Sequence, residues 1–526
     1  MRYDEKEGTL FLNEENLHDI IERTARSMLS ETESLCPTCL KKIPAHRMTD
    51  GRDVYLEKCC DDHGKFDTVI WRGLPSYETW NRPKLPIQPP VCFSNISKGC
   101  PFDCGLCEAH RQISCTVLLE VTERCNLSCR YCFAEAGKVS SPDPSLDIVQ
   151  FWFDRVKTVA PVCNIQLSGG EPTVRNDLPQ IIEMGRRNGF SFIQLNTNGL
   201  RLAREKGYAK RLKAAGLASV FLQFDGVTND VYRRLRGADL AAEKMDAISR
   251  CGEAGLGVVL VPMIVPGIND DQLGDILEVG IQASPAVRGI HFQPVSYFGR
   301  RPVLPKNSDR ITLPEILAGL ETQSYGKVRA DDFSPPGCEN ALCSFHGRFF
   351  ISKEGGLKPI VALPLADVGS PPESADVGAR RTISSVARQW GPVHENGVSD
   401  ADVMGSQPFR FQREEASSCC GSTRNVSYRD GSESIDIDSF LEMARRKSLS
   451  ISAMVFQDVW NLDLERLRDC CIHVMSPDGR VIPFCAYNLT DSEHHPLYRT
   501  RLQLIRQSSS FRVAPLPTSP RWGEEQ

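Results

Sequence analysis

Between residues 116 and about 300, short unbroken apolar runs alternate with longer stretches in which apolar residues recur every three or four positions. The runs TVLLEVTE (116–123), NIQLSGG (164–170), FIQLNTNG (192–199), SVFLQFDG (219–226), GVVLVPMIV (257–265) and GIHFQPV (289–295) predict six strands. Strands of a parallel sheet covered on both faces need such continuous apolar character. Between them, SLDIVQFWFDRV places Leu146, Val149, Phe153 and Val156 on one helical face, which predicts a helix packed on the sheet. Six strand–helix units predict an α/β fold, a partial (β/α)6 TIM-type barrel over 116–305 whose chemistry belongs at the C-terminal ends of the strands.

The flanking regions carry other patterns. Leu17, Ile20, Ile21 and Ala25 fall near one face, predicting a helical segment within 1–35. From 36 to 85, Cys36 and Cys39 precede a hairpin at Asp50-Gly51, and Cys60 and His63 follow it. Two short ligand pairs joined by a small sheet are what a tetrahedral zinc-ribbon or rubredoxin-like site requires. Cys59 is an alternative to Cys60, and zinc or iron is left open. The Pro-rich RPKLPIQPP (82–90) links into a cysteine-dense segment, 86–115. Beyond 305 the alternation fades into a cysteine-bearing extension to about residue 500. There CIHVMSPDGRVIPFCAYN reads as a hairpin turning at Asp478-Gly479, and 365–400 and 415–435 read as loops. Residues 501–526 lack periodicity and read as a disordered tail.

Composition narrows the function. The chain has 526 residues, 62 Lys+Arg against 67 Asp+Glu, and a net charge of −5, which gives no field for nucleic acid. The basic run Arg233, Arg234 and Arg236 reads as a solvated helix face. No apolar stretch approaches the ~20 residues of a membrane span, and MRYDEKEGTL lacks a signal-peptide core, so a cytoplasmic location is expected. In that reducing compartment the 21 cysteines read as metal ligands rather than disulfides.

Seven of these cysteines fall between 100 and 132, as two CxxxCxxC triplets, Cys100/Cys104/Cys107 and Cys125/Cys129/Cys132, with Cys115 between. Three thiolates around an iron–sulfur cluster leave one iron open to bind a small molecule, whereas four close it. The second triplet directly follows the first barrel strand and so lies at the catalytic end. The first has no strand before it, and Cys115 is near enough in sequence to complete it. SGGEP (168–172), TNG (197–199) and FDG (224–226) end the next three strands with glycine and polar groups.

At these residues the chain resembles the radical S-adenosylmethionine (SAM) superfamily. The resemblance implies that Cys125, Cys129 and Cys132 carry a catalytic [4Fe-4S] cluster whose open iron chelates SAM. Gly169, Gly170 and Glu171 would line its methionine end, Asn198 its ribose and Tyr131 its adenine, with Asp225 a further cofactor contact. CPTC, CCDDHGKF, GCPFDCGLCEAH, FQPVSYFGR and CIHVMSPDGRVIPFCAYN extend the likeness to the branch containing tetraether lipid synthase and 7,8-dihydro-6-hydroxymethylpterin methyltransferases. That branch implies a mononuclear Zn or Fe at Cys36, Cys39, Cys60 and His63, and two auxiliary clusters. One would use Cys100, Cys104, Cys107 and Cys115; the other Cys338, Cys343, Cys471 and Cys485, with Cys470, Cys419 and Cys420 as competitors.

The resulting expectation is a radical SAM enzyme that functionalises an unactivated carbon, foremost by coupling lipid chains, alternatively by methylating a pterin. It would take a small-molecule or lipid substrate, with peripheral lipid contact in the latter case, and electrons from a ferredoxin or flavodoxin. A multi-cluster electron carrier or redox sensor is the reading from another class, and SGGEP at a strand end argues against it.

Overall fold

The computed structural model describes residues 2–4, 9–11, 26–137, 142–352, 354–360, 372–391 and 446–499. Strands β1 (Arg2–Asp4) and β2 (Thr9–Phe11) form a short antiparallel pair. Next come β3 (Ser27–Leu35), β4 (Lys42–Thr49), β5 (Asp53–Cys60) and β6 (Gly64–Arg72), an antiparallel meander. Residues 27–35 were expected to continue a helix; they are instead the first strand of this sheet. The rest of the helical reading, 12–25, lies outside the described residues. The alternation buried–exposed along β4 and β5 fits a sheet with one covered face.

The barrel strands are β7 (Thr116–Thr122), β8 (Asn164–Gly169), β9 (Ile193–Thr197), β10 (Ser219–Gln223), β11 (Gly257–Val261), the two-residue β12 (Met263–Ile264) and β13 (Val287–Pro294). They pair in parallel in chain order, except that β11 and β12 both pair with β13. All six predicted runs are therefore strands of one curved sheet, the α/β partial barrel. Val117, Leu119, Val121, Ile165, Leu167, Ile193, Leu195, Val220 and Leu222 pack outward against the helices. Intervening residues face the interior.

The region after 305 does not stand apart from the barrel. Strand β14 (Ser344–Ile351), β15 (Leu357–Pro359) and β16 (Ser448–Met454) extend the β13 edge; β17 (Ile472–Met475) and β18 (Val481–Pro483) extend the β7 edge. Strand β16 runs parallel to β13, and β17 parallel to β7. Strands β17 and β18 form the hairpin expected at Asp478-Gly479. Residues 375–390, expected to be loop, form a sixteen-residue helix. Ala375, Ala379 and Ile383, four residues apart, give it a buried stripe that its polar composition conceals. Residues 365–371, 392–400, 415–435 (with Cys419 and Cys420) and 501–526 lie outside the described residues. Among the described residues no helix is long and apolar enough to cross a membrane.

Candidate active site

The loop after β7 carries Cys125, Cys129 and Cys132 at the C-terminal mouth of the barrel. Its shape is fixed from three sides. Cys132 and Arg300 exchange backbone hydrogen bonds of 3.0 Å each way, Arg300 Nε donates to the Cys129 carbonyl at 2.7 Å, and the Arg130 N–H donates to the Leu235 carbonyl. Gly299, at φ 45°, makes the first contact possible: a Cβ there would lie 2.8 Å from the Cys132 carbonyl oxygen. The loop thus offers three thiols and no fourth.

The SGGEP segment braces this loop. A Cβ on Gly169 would sit 2.2 Å from the Thr122 carbonyl oxygen, and one on Gly170 2.2 Å from that of Arg124. Their N-terminal neighbourhood is held by Gly170 N–H to Thr122 (2.7 Å) and Glu171 N–H to Arg124 (2.8 Å). The glycines therefore serve a close approach to the cysteine loop's own backbone. Glu171, 1% exposed, ties β8 to β9. Its Oε1 accepts from Thr173 N–H and hydroxyl and from the Thr197 hydroxyl, and its Oε2 accepts from Asn198 N–H at 2.7 Å. Asn198 Nδ2 in turn donates to Asn126 Oδ1, inside the cysteine loop, at 2.7 Å.

Asp225 is engaged by Arg236, whose Nε and NH2 donate to its two carboxylate oxygens at 2.7 and 2.6 Å, both residues buried. The Arg236 guanidinium is also near enough to Cys129 to interact with its thiol electrostatically. The reading of Arg236 as solvated surface is thus corrected; only Arg233 and Arg234 of that run are exposed. The buried stripe Val231, Tyr232, Leu235 and Arg236 of the helix Asn229–Arg236 was the available signal. Burial pushes the Cys125 thiol up to about 12, so occupancy by a metal centre is what would make it a thiolate. Tyr131 borders the mouth, its ring 6.3 Å from that of Tyr297.

The other cysteines regroup. Cys100, Cys104 and Cys107 line one small cavity with His110, Leu467, Arg468 and Pro483. Cys115 is elsewhere, in a disulfide with Cys338, their ligand atoms and that of Cys471 all within 4.8 Å. The reason is topological. Cys115 immediately precedes β7 and Cys471 immediately precedes β17; because these strands pair with Ile472 opposite Thr116, both cysteines meet below the barrel. The Cys115 N–H donates to the Cys471 carbonyl at 2.8 Å. The Cys115–Cys338 pairing also departs from the expectation of ligands alone. Burial raises the Cys470 thiol, and the nearby Cys485 and Cys343 raise it further, while Arg466 donates to Cys343 Sγ at 3.3 Å. The Cys470 thiol donates to the Ile472 carbonyl at 3.1 Å, whereas the Cys471 sulfur lies with those of Cys115 and Cys338.

In the N-terminal sheet the four expected ligands do converge. Cys36 Sγ and Cys60 Sγ each lie 3.6 Å from His63 Nδ1, and Cys39 Sγ lies 3.9 Å from Cys60 Sγ. A tetrahedron with ~2.3 Å Zn–S arms has edges of about 3.8 Å, so the set fits one ion. The His63 hydrogen bond brings the Cys60 thiol down to about 7. Cys59 is exposed and outside this set.

Comparison with known proteins agrees with this geometry. The profile of the radical SAM superfamily matches residues 119–279, and that of the HMPTM N-terminal zinc ribbon domain matches 28–72. Over 488 residues the chain is 32% identical to a 7,8-dihydro-6-hydroxymethylpterin dimethyltransferase of Methanocaldococcus jannaschii, covering 88% of this chain and 94% of that one. The chain belongs to the radical SAM superfamily. This radical SAM enzyme is also 31% identical over 259 residues to a GTP 3′,8-cyclase of Alkaliphilus oremlandii, covering 46% of this chain and 79% of the relative. Among solved structures, Streptococcus suis SuiB bound to S-adenosylmethionine matches at TM-score 0.35 and 14% identity, covering 40% of this chain and 47% of SuiB. The donor set suits an iron–sulfur cluster with one open iron: three thiols on one loop, at a barrel mouth rimmed by polar strand ends. Sequence patterns assign no role to Arg300 and Asn126, although the first ends FQPVSYFGR and the second lies within the Cys125/Cys129/Cys132 triplet, and they read Arg236 as surface; the part of all three is to hold the cysteine loop.

Proposed function

We propose that this radical SAM enzyme transfers a methyl group to a carbon of a reduced pterin. The observation that carries the reading is the near full-length likeness to a protein named for that activity on 7,8-dihydro-6-hydroxymethylpterin. Lipid-chain coupling, the foremost expectation from sequence, finds no counterpart among these relatives. The GTP cyclases that share the barrel also act, by name, on a fused-ring heterocycle, and the barrel interior here is lined by Glu120, Gln166, Gln194 and Asn196. An interior of polar side chains suits a heterocycle better than an alkyl chain.

Cys125, Cys129 and Cys132 would hold a [4Fe-4S] cluster, which would supply the electron that splits one SAM into methionine and a 5′-deoxyadenosyl radical. Because that methionine keeps its methyl group, the methyl transferred to the pterin comes from a second SAM, which leaves as S-adenosylhomocysteine, with the reductant supplying one electron for each SAM. Gly169, Gly170 and Glu171 hold the loop in place, Arg236 offsets the thiolate charge at Cys129, and Asn198 and Tyr131 border the cofactor. Auxiliary centres are assigned to the regrouped cysteines: Cys100, Cys104 and Cys107 in one cavity, and, once the Cys115–Cys338 disulfide is reduced to thiolates, Cys115, Cys338 and Cys471 below the barrel, with Cys343, Cys470 and Cys485 beside it. The mononuclear site takes zinc. A ferredoxin or flavodoxin in the cytoplasm is the electron donor that suits this arrangement.

The test is anaerobic incubation of reconstituted enzyme with dithionite, SAM and 7,8-dihydro-6-hydroxymethylpterin. A pterin product 14 mass units heavier together with 5′-deoxyadenosine is expected. Deoxyadenosine with no methylated pterin overturns the substrate; neither product overturns the radical chemistry.

A further inference from the structure

Parallel strands in register present every second side chain inward at a common height, so the barrel interior is layered. In one layer Gln166, Gln194 and Ser219 are register partners on β8, β9 and β10. Gln166 Nε2 donates to Gln194 Oε1 at 2.9 Å, Gln194 Nε2 donates to Ser219 Oγ at 3.2 Å, and Ser219 Oγ donates to the Gly257 carbonyl at 3.3 Å. Each side chain in that row donates to the next partner along, which makes it a floor.

Two residues nearer the mouth, Glu120 stands opposite Ser168, and Asn196 opposite Phe221, itself opposite Val259. Glu120 is held by a two-pronged pair with Arg499, at 2.7 and 2.8 Å. Asn196 differs. Its Oδ1 is buried and has no hydrogen-bond partner among the described residues, although the residue as a whole is only partly buried. A buried acceptor left without a donor is costly, so its persistence at the centre of a sheet points to a donor that arrives from outside the sheet. Beside it Phe221, His291 and Trp390 form an aromatic wall, with ring centroids 5.4 to 6.0 Å apart.

We propose that Asn196 is the specificity-determining residue that reads the polar edge of a planar heteroaromatic substrate. Its Oδ1 accepts a ring-edge N–H, the ring lies over the Gln166–Gln194–Ser219 floor, and Phe221 and His291 flank it. The assignment rests on the pterin reading above and adds the residue that tells such a ring from an apolar one. Its test is binding rather than turnover. Dissociation constants for 7,8-dihydro-6-hydroxymethylpterin and, separately, for SAM are measured anaerobically on the reconstituted wild type, Asn196→Leu and Asn196→Asp. Asn196→Leu, close in shape but without the amide, should weaken the pterin about tenfold and SAM less than twofold, at wild-type iron and sulfide content. Asn196→Asp keeps an oxygen in place and should hold the pterin within about threefold. Pterin affinity untouched in Asn196→Leu, or pterin and SAM weakened alike, overturns the assignment while leaving the pterin reading intact. A wild type that binds no pterin overturns that reading, and the assignment with it.

Discussion

Arg236 shows how a single side chain joins stability to chemistry. Buried at the end of its helix, it needs Asp225 to be neutralised, and once neutralised it stands against the Cys129 sulfur. Removing one member of a buried pair typically costs about 3–5 kcal/mol because the other charge is stranded. Asp225→Asn should therefore lower the melting temperature and release iron from the Cys125/Cys129/Cys132 loop while zinc stays bound, as metal analysis would show. Unchanged iron would mean the pair is scaffolding alone. His291 illustrates the opposite case, a titratable group kept neutral. Its Nδ1 meets Ser452 Oγ at 2.8 Å, and burial pushes its pKa down to about 4 from 6.5. A depressed folded value means the unfolded chain takes up the proton first. Its contribution is then complete above pH 6.5 and lost as pH falls toward 4, by about 3 kcal/mol at the limit. His291→Gln should flatten that part of the stability–pH curve in denaturant titrations; equal slopes would remove His291 as the cause.

At the scale of elements, the two strand-end glycines act where β8 meets the cysteine loop. Gly170→Ala must push the Arg124 carbonyl away by a large fraction of an ångström, since 2.2 Å is far inside contact distance. Loss of the cluster's absorption and of 5′-deoxyadenosine formation is expected, with the N-terminal zinc unaffected; full iron loading would show that the loop tolerates the shift. Gly378 plays a similar part for the helix Ala375–Trp390, where a Cβ would lie 2.1 Å from the Gly337 carbonyl beside Cys338. The barrel strands were legible in the sequence because continuous apolar runs and their spacing are local properties. The helix over 375–390 was hidden because its buried stripe consists of alanine, glycine and one isoleucine. Cysteine grouping was hidden for a different reason. Proximity of Cys115 to Cys100–Cys107 in sequence says nothing about the pairing of β7 with β17, which carries Cys115 to Cys471 instead.

Across the whole molecule, the zinc ribbon is bolted to the barrel mouth through partners more than 400 residues away, which no local pattern could disclose. Arg47 Nε and NH2 donate to Asp463 at 2.9 and 3.0 Å, and Thr32 Oγ1 donates to Asp463 Oδ1 at 2.8 Å. Lys58 Nζ donates to the Val459 carbonyl at 2.7 Å. The neighbouring Asp458 is locked to Arg310 by two bonds of 2.9 Å and accepts the Tyr297 N–H, and the Tyr297 ring meets Tyr131 at the mouth. The ribbon thus reaches Tyr131 at the barrel mouth through segment 457–463. Arg47→Met strands the Asp463 carboxylate, which is 2% exposed, and should cost about 3–5 kcal/mol. Arg47→Met with Asp463→Leu replaces the pair by apolar side chains and should recover most of that loss, since buried ion pairs and well-packed apolar substitutes are often equivalent. Hydrogen exchange over 27–72 and 457–469 would report it: protection falls in both segments in the single variant and returns in the double, with zinc retained throughout. Exchange confined to the ribbon in Arg47→Met would show that the body holds 457–469 unaided, and the mechanical link from ribbon to Tyr297 would then be absent.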